Sequence, residues 1–92
     1  MIMSFTCKDT EQLFRQGFNR RFAAIIRPAL RRLNILNAVV SREELRVPPG
    51  NHLEALSGDR TGQHSIRIND QWRICFAWKD GQAYDVAIVD YH

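Results

Sequence analysis

Ninety-two residues form one small domain, because compact domains usually run from about 50 to 250 residues and this length leaves no room for a second. The 45% apolar and 25% charged shares are those of an ordinary soluble globule, which argues against disorder, collagen-like repeats or a solenoid. A chain this short buries only about 60 to 65% of its unfolded surface, so its core is expected to be thin and its function to sit on an open face or shallow cleft. The net charge of +3 is unevenly spread: residues 1–32 hold seven bases (Lys8, Arg15, Arg20, Arg21, Arg27, Arg31, Arg32) and two acids (Asp9, Glu11), while the remainder holds six bases and eight acids. Eleven of the thirteen bases are arginine, whose planar fork pairs bidentately with phosphate or carboxylate. A polyanion, an acidic protein partner or a plain solvated face would each account for that field.

Cys7 and Cys75 lack C-x-x-C spacing, so neither a zinc site nor a disulfide framework is indicated, and two buried free thiols are expected. The opening Met-Ile-Met-Ser-Phe-Thr-Cys lacks the basic and apolar regions of a signal peptide. No run approaches the roughly 18 apolar residues of a membrane span, so a cytoplasmic protein with no membrane partner is expected.

In chain order, Ile2 to Cys7 reads as a short strand. Asp9 or Thr10 then offers an N-cap for a short helix over Glu11 to Gln16, closed by Gly17. Phe22, Ile25, Ile26, Ala29, Leu30, Leu33, Leu36 and Val40 recur at three- and four-residue steps, predicting a longer helix with arginines opposite its apolar stripe. Pro28 either kinks that helix at Arg27 or marks its first turn. Val47-Pro48-Pro49-Gly50 reads as a loop. After residue 60 the period changes to two: residues 65–68, 72–78 and 84–89 read as strands joined by turns at 69–71 and 79–81. Such short connections make the strands antiparallel neighbours. The predicted fold is α+β in two layers, with N-terminal helices packed on a small, mostly antiparallel sheet. Its apolar face (Ile66, Ile68, Trp72, Ile74, Phe76, Trp78, Val86, Ile88) covers the helices. The other, carrying Ser65, Arg67, Arg73, Cys75 and Asp85, is expected to be an open concave surface.

His52, His64 and His92 are too scattered for a metal site, so no metal is expected, and Gly58 and Gly62 do not form a phosphate loop. What remains is acid, base and cation chemistry without a cofactor, which suits RNA cleavage by its own 2′-hydroxyl: a base for that hydroxyl, a cation for the phosphorus and an acid for the departing oxygen. Arg67 and Arg73 are candidates for the phosphate. Asp90, Tyr91 and His92 place a carboxylate, a phenol and an imidazole in one stretch leaving the sheet edge. Each has an ordinary structural alternative: a salt bridge for the arginines, a frayed terminus for the tripeptide, surface decoration for His52 and His64, and core for Trp72 and Trp78.

The segment Leu53 to Phe76, with Asp90-Tyr91-His92 after it, closely resembles the HigB toxins of the RelE/ParE superfamily. The opening Met1-Ile2-x-Ser4-Phe5, the Pro48-Pro49-Gly50 loop and the Asn69-Asp70-Gln71-Trp72-Arg73-Ile74-Cys75-Phe76 strand agree in order and spacing. The resemblance implies a bacterial type II toxin acting as a ribosome-dependent mRNA endonuclease. It also implies inhibition by a HigA-like helix-turn-helix antitoxin and contact with operator DNA only through that antitoxin. It casts Arg73 as the phosphate-stabilising arginine and Asp90, Tyr91 and His92 as the functional tripeptide. In the better-known pattern L-H-P-L-K-G-D-R-x-G, the His and Lys positions are here Glu54 and Ser57. Those departures predict slow cleavage, with His52, Glu54, Ser57, His64 or Arg67 assisting, and Arg20, Arg21, Arg27, Arg31 and Arg32 meeting ribosomal phosphates. Two alternatives share the fold: a ParE-like inhibitor of DNA gyrase, and a weak toxin serving mainly as antitoxin partner and co-repressor.

Overall fold

The computed structural model describes residues 1–47 and 49–90. Helix α1 spans Lys8–Gln16 and ends where Gly17 takes the left-handed conformation (φ 79°), its N–H donating to the Leu13 carbonyl at 2.9 Å. It starts one turn earlier than the sequence predicts, because neither expected cap acts as one. The cap position is Cys7, which makes no side-chain cap bond, and Asp9 sits in the first turn, where a carboxylate suits the helix dipole. Thr10 is instead a buried residue of the helix, and its Oγ1 accepts the Ile88 backbone N–H at 2.9 Å. The hydroxyl joins helix to sheet.

Helix α2 spans Ile26–Ala38 and follows a 3₁₀ turn over Ala23–Ile25. Of the two readings of Pro28, the first-turn position is the one adopted: the first amide groups of a helix have no intrahelical acceptor, so a proline there forfeits nothing. Ala29, Leu33 and Leu36 are fully buried along one stripe, while Phe22 and Ile25 reach the same core from the turn. The periodic signal overruns the helix at both ends. Val39 is extended and Val40 is exposed.

Four strands pair in the order β1-β2-β3-β4, all antiparallel: Glu54–Ala55, Gln63–Arg67, Trp72–Lys79 and Gln82–Asp90. The first of these, too short to show a period, was not foreseen. Residues Ile2 and Phe5 bridge in parallel to Ala83 and Val86, so the opening segment flanks β4 as an interrupted extra strand. Between β3 and β4, Asp80 and Gly81 both have positive φ (53° and 77°), which gives the two-residue turn that matches strand twist. The turn into β3 is held by Asn69, whose Oδ1 accepts from the N–H groups of Gln71 and Trp72 at 2.9 and 2.8 Å. Strand β4 bulges at Asp85 (φ 56°), where the register shifts opposite Cys75 and Ala77, and Ser4 Oγ accepts the Asp85 N–H at 2.9 Å.

Ile66, Ile68, Ile74, Phe76, Val86 and Ile88 meet Leu13, Leu33, Leu36 and Leu45 in a single core, and Trp72 packs edge-on against Phe22 at 5.4 Å. This bears out the expected apolar face. The other face corrects the expectation of an open surface: Ser65 and Cys75 are completely buried and Arg73 is 7% exposed. The segment around His52 and Glu54 folds over it, β1 pairing Glu54 with Ser65.

The buried Thr10 contact generates a test. Thr10→Val keeps shape but strands the Ile88 N–H without an acceptor, which costs about 1–3 kcal/mol. Urea unfolding is expected to show that loss, with the far-UV circular dichroism of the native state unchanged.

Candidate functional site

Arg73 lies near the start of the inner strand β3, and a buried guanidinium persists only if its N–H groups are satisfied. Its Nε donates to Ser65 Oγ at 2.8 Å, and its Nη2 donates to the His52 carbonyl at 2.6 Å and to the Ser65 carbonyl at 3.4 Å. Glu54 Oε2 lies 3.9 Å from Nη2. His52 takes a left-handed backbone (φ 46°), unusual for a residue with a Cβ, at the position whose carbonyl receives Arg73. Its imidazole side is exposed, so its contribution here is made by the main chain. Arg67 pairs across β2 and β3 with Arg73, so both point to the same face. Its Nε donates to the Asn69 carbonyl at 3.1 Å, and Nη2 forms an ion pair with Asp70.

The structure therefore brings together Arg73, Arg67, Glu54 and the His52 main chain, and it separates other candidates from them. His64 pairs with Phe76 and stacks on its ring at 6.0 Å, on the helix-covered face and away from Arg73. Its Nδ1 is buried with no hydrogen-bond partner among the described residues. Burial, and then the nearby Arg42 and Arg46, push its imidazole below the ordinary range. Asp90 pairs with Trp72 whereas Arg73 pairs with Val89, so strand alternation directs Asp90 and Arg73 to opposite faces. Asp90 Oδ2 accepts from Gln71 Nε2 at 3.1 Å. Ser57 is exposed at the start of a 3₁₀ turn over Gly58–Arg60. Tyr91 and His92 lie outside the described residues.

Ser65 is the anchor that residue chemistry alone did not single out. The signal for it was positional: it shares the alternating face of Arg73 on the neighbouring strand. Cys75 is buried, as expected, and burial raises its thiol above the ordinary range, with Arg60 and Arg73 pulling the other way. Cys7 corrects the same expectation by being only half-buried.

The expected arginine surface divides in two. Arg20, Arg27 and Arg31 are exposed and make no ion pair among the described residues. Arg21 lies 3.6 Å from Asp9, with its guanidinium over the rings of Phe22 and Trp72 at 5.1 and 5.8 Å. Arg32 Nε donates to the Arg67 carbonyl at 2.6 Å, and its pKa is lowered by burial and then by Arg31 and Arg67. These two arginines serve the fold, a role that periodicity cannot distinguish from a solvated one. Among the described residues, no three His, Cys, Asp or Glu side chains gather as a metal site requires, and no helix is long and apolar enough to cross a membrane.

A model of RelE-like toxins of the HigB type II toxin-antitoxin system matches residues 3–92. The chain belongs to this HigB-like toxin family. Toxin HigB-1 of Vibrio cholerae serotype O1 is 39% identical over 85 residues, covering 90% of each chain. Endoribonuclease HigB of Proteus vulgaris is 33% identical over 98 aligned positions, covering 100% of both. The YoeB-YefM complex from Staphylococcus aureus contains a chain of similar fold, with TM-score 0.58, 18% identity and coverage of 100% of this chain and 98% of that one. The α+β RelE-like fold expected from the HigB resemblance is thereby established.

His64 supplies a pH test. A folded-state pKa held below the unfolded value favours the neutral form, so the associated stability is present above the unfolded pKa and lost as pH falls below about 6.5. Denaturation midpoints measured at pH 7.5 and pH 5 are expected to fall more for the HigB-like wild type than for His64→Gln, which retains the other two histidines.

Proposed function

We propose that the protein is an endoribonuclease toxin that cuts mRNA on the ribosome, without a metal ion, by attack of the 2′-hydroxyl on its neighbouring phosphate. The carrying observation is the Arg73 guanidinium, fixed by Ser65 and His52, with the Glu54 carboxylate 3.9 Å away and Arg67 beside it on the same face. Membership of the HigB-like family and similarity to Endoribonuclease HigB of Proteus vulgaris support the same reading.

In this mechanism a base takes the 2′-hydroxyl proton, the O2′–P bond forms, the P–O5′ bond breaks and an acid protonates O5′. The products are a 2′,3′-cyclic phosphate and a 5′-hydroxyl end. Arg73 stabilises the charge that gathers on the non-bridging oxygens, and its restraint by Ser65 and His52 means little reorganisation as that charge develops. Arg67 holds an adjacent phosphate. Glu54, standing where the better-known pattern has histidine, takes the base role, since a carboxylate within reach of the arginine-bound phosphate is also within reach of the neighbouring ribose. Tyr91 and His92 supply the acid. Asp90, hydrogen-bonded to Gln71 at the end of β4, anchors the strand from which they follow.

Exposed Arg20, Arg27 and Arg31 add ribosomal affinity through phosphates, and the ribosome holds the message in a reactive shape. A HigA-like antitoxin is the inhibitory partner and carries any operator contact. With one carboxylate in place of an imidazole, and Ser57 in place of lysine, the chemistry is slow.

Ribosomes programmed with message in the A site provide the assay, with naked RNA as comparison. Wild-type protein is expected to cut the first and scarcely the second, leaving cyclic phosphate ends; equal rates on both would overturn ribosome dependence. Arg73→Lys keeps a charge but not the fork and is expected to lower the rate about 10²–10³-fold. Glu54→Gln is expected to lower it about 10²-fold or more. Retained thermal unfolding in both variants separates lost chemistry from lost fold, and unchanged rates would sink the assignment.

A further inference from the structure

The face that carries Arg73 continues along β3. Alternation places Arg73, Cys75, Ala77 and Lys79 on it, and pairing adds Tyr84 beside Ala77. Six residues of strand put Lys79 roughly 20 Å from Arg73. At that far end the face opens into a hollow of ≈ 340 Å³ lined by Ala77, Lys79, Tyr84 and Asp85. Its volume sits at the lower end of the roughly 300–1,000 Å³ typical of small-molecule sites.

Each lining residue offers a different kind of contact. Ala77 leaves a shallow floor. Tyr84 turns its hydroxyl to Gln82 Oε1 at 3.1 Å, so its ring forms a wall with the polar end already engaged. Lys79 is an exposed ammonium at the rim. Asp85 owes its place to the bulge: its backbone is left-handed (φ 56°), its N–H donates to Ser4 Oγ at 2.9 Å, and that hydroxyl lies 3.4 Å from its own Oδ1. The carboxylate is thus positioned by the opening segment and not by a flexible loop.

An aromatic wall takes the face of any base, an ammonium takes phosphate, and a carboxylate accepts only from donors. Adenine, cytosine and guanine each present an exocyclic amino group, whereas uracil flanks its one N–H with two carbonyl oxygens that a carboxylate repels. We propose that this hollow is a subsite for one nucleotide of the RNA strand whose linkage Arg73 engages, and that Asp85 selects a base with an amino group against uracil. The inference rests on the nuclease reading above and adds the substrate feature that this face recognises.

Asp85→Asn is the decisive variant, because asparagine tolerates the left-handed backbone and its amide both donates and accepts. Ribosomes programmed with messages that differ at single nucleotides within three of the cut are compared. Wild-type protein is expected to disfavour uracil at one position tenfold or more, and Asp85→Asn to narrow that ratio below threefold. Tyr84→Leu is expected to raise the half-saturating concentration about tenfold with the maximal rate little changed. Cutting by wild type with no bias against uracil, or an undiminished bias in Asp85→Asn, overturns the subsite and leaves the nuclease reading intact. Absence of cutting by wild type overturns the nuclease reading, and binding alone then decides. Titration of the protein with CpCpC is expected to shift the amide resonances of residues 77–85, with UpUpU shifting them far less and Asp85→Asn responding to both alike. Equal or absent wild-type responses overturn the subsite.

Discussion

The organisation of this sheet face depends on one cation that has been taken out of water. Moving a guanidinium into a protein interior is costly unless hydrogen-bonding groups replace its hydration. Here Arg73 recruits the Ser65 hydroxyl from the next strand and the His52 carbonyl from the covering segment. The second of these explains local features that are otherwise unrelated. His52 bears a left-handed backbone, and Glu54 comes to lie beside the arginine. The covering segment is thereby drawn onto the sheet by the charge beneath it.

The parts of the fold legible in the sequence are those in which one side chain's environment follows from its immediate neighbours. Alternation in residues 72–78 gave the strand and its buried face, and Asp80-Gly81 gave the turn, because both depend on backbone geometry over a few residues. Thr10 was misread for the opposite reason. An N-cap and a buried tether look alike until the acceptor's partner is known, and that partner is Ile88, 78 positions away. Arg21 and Arg32 are the same lesson in charge: their partners, the rings of Phe22 and Trp72 and the Arg67 carbonyl, are set by tertiary packing.

The candidate site was legible as chemistry and not as placement. Arg73 and Arg67 share a face because β2 and β3 pair in the register their alternation requires. That same alternation sends Asp90 to the other face and His64 into contact with Phe76, so residues close in sequence to the site are not all close in function. Ser65 shows the reverse. A plain serine in a strand holds the arginine, because its buried hydroxyl accepts from the guanidinium Nε across the strand pair.

Pairing of the opening segment with β4 spans almost the whole chain, with Ser4 and Asp85 separated by 81 positions. Contacts of such range carry a larger loop-closure entropy than the hairpins, which disfavours them early in folding. The pairing along this edge is also interrupted, resting on isolated bridges at Ile2 and Phe5. The Asp85 bulge, whose N–H is held by Ser4 across that seam, therefore belongs to the part of the sheet that opens most readily under heat or denaturant.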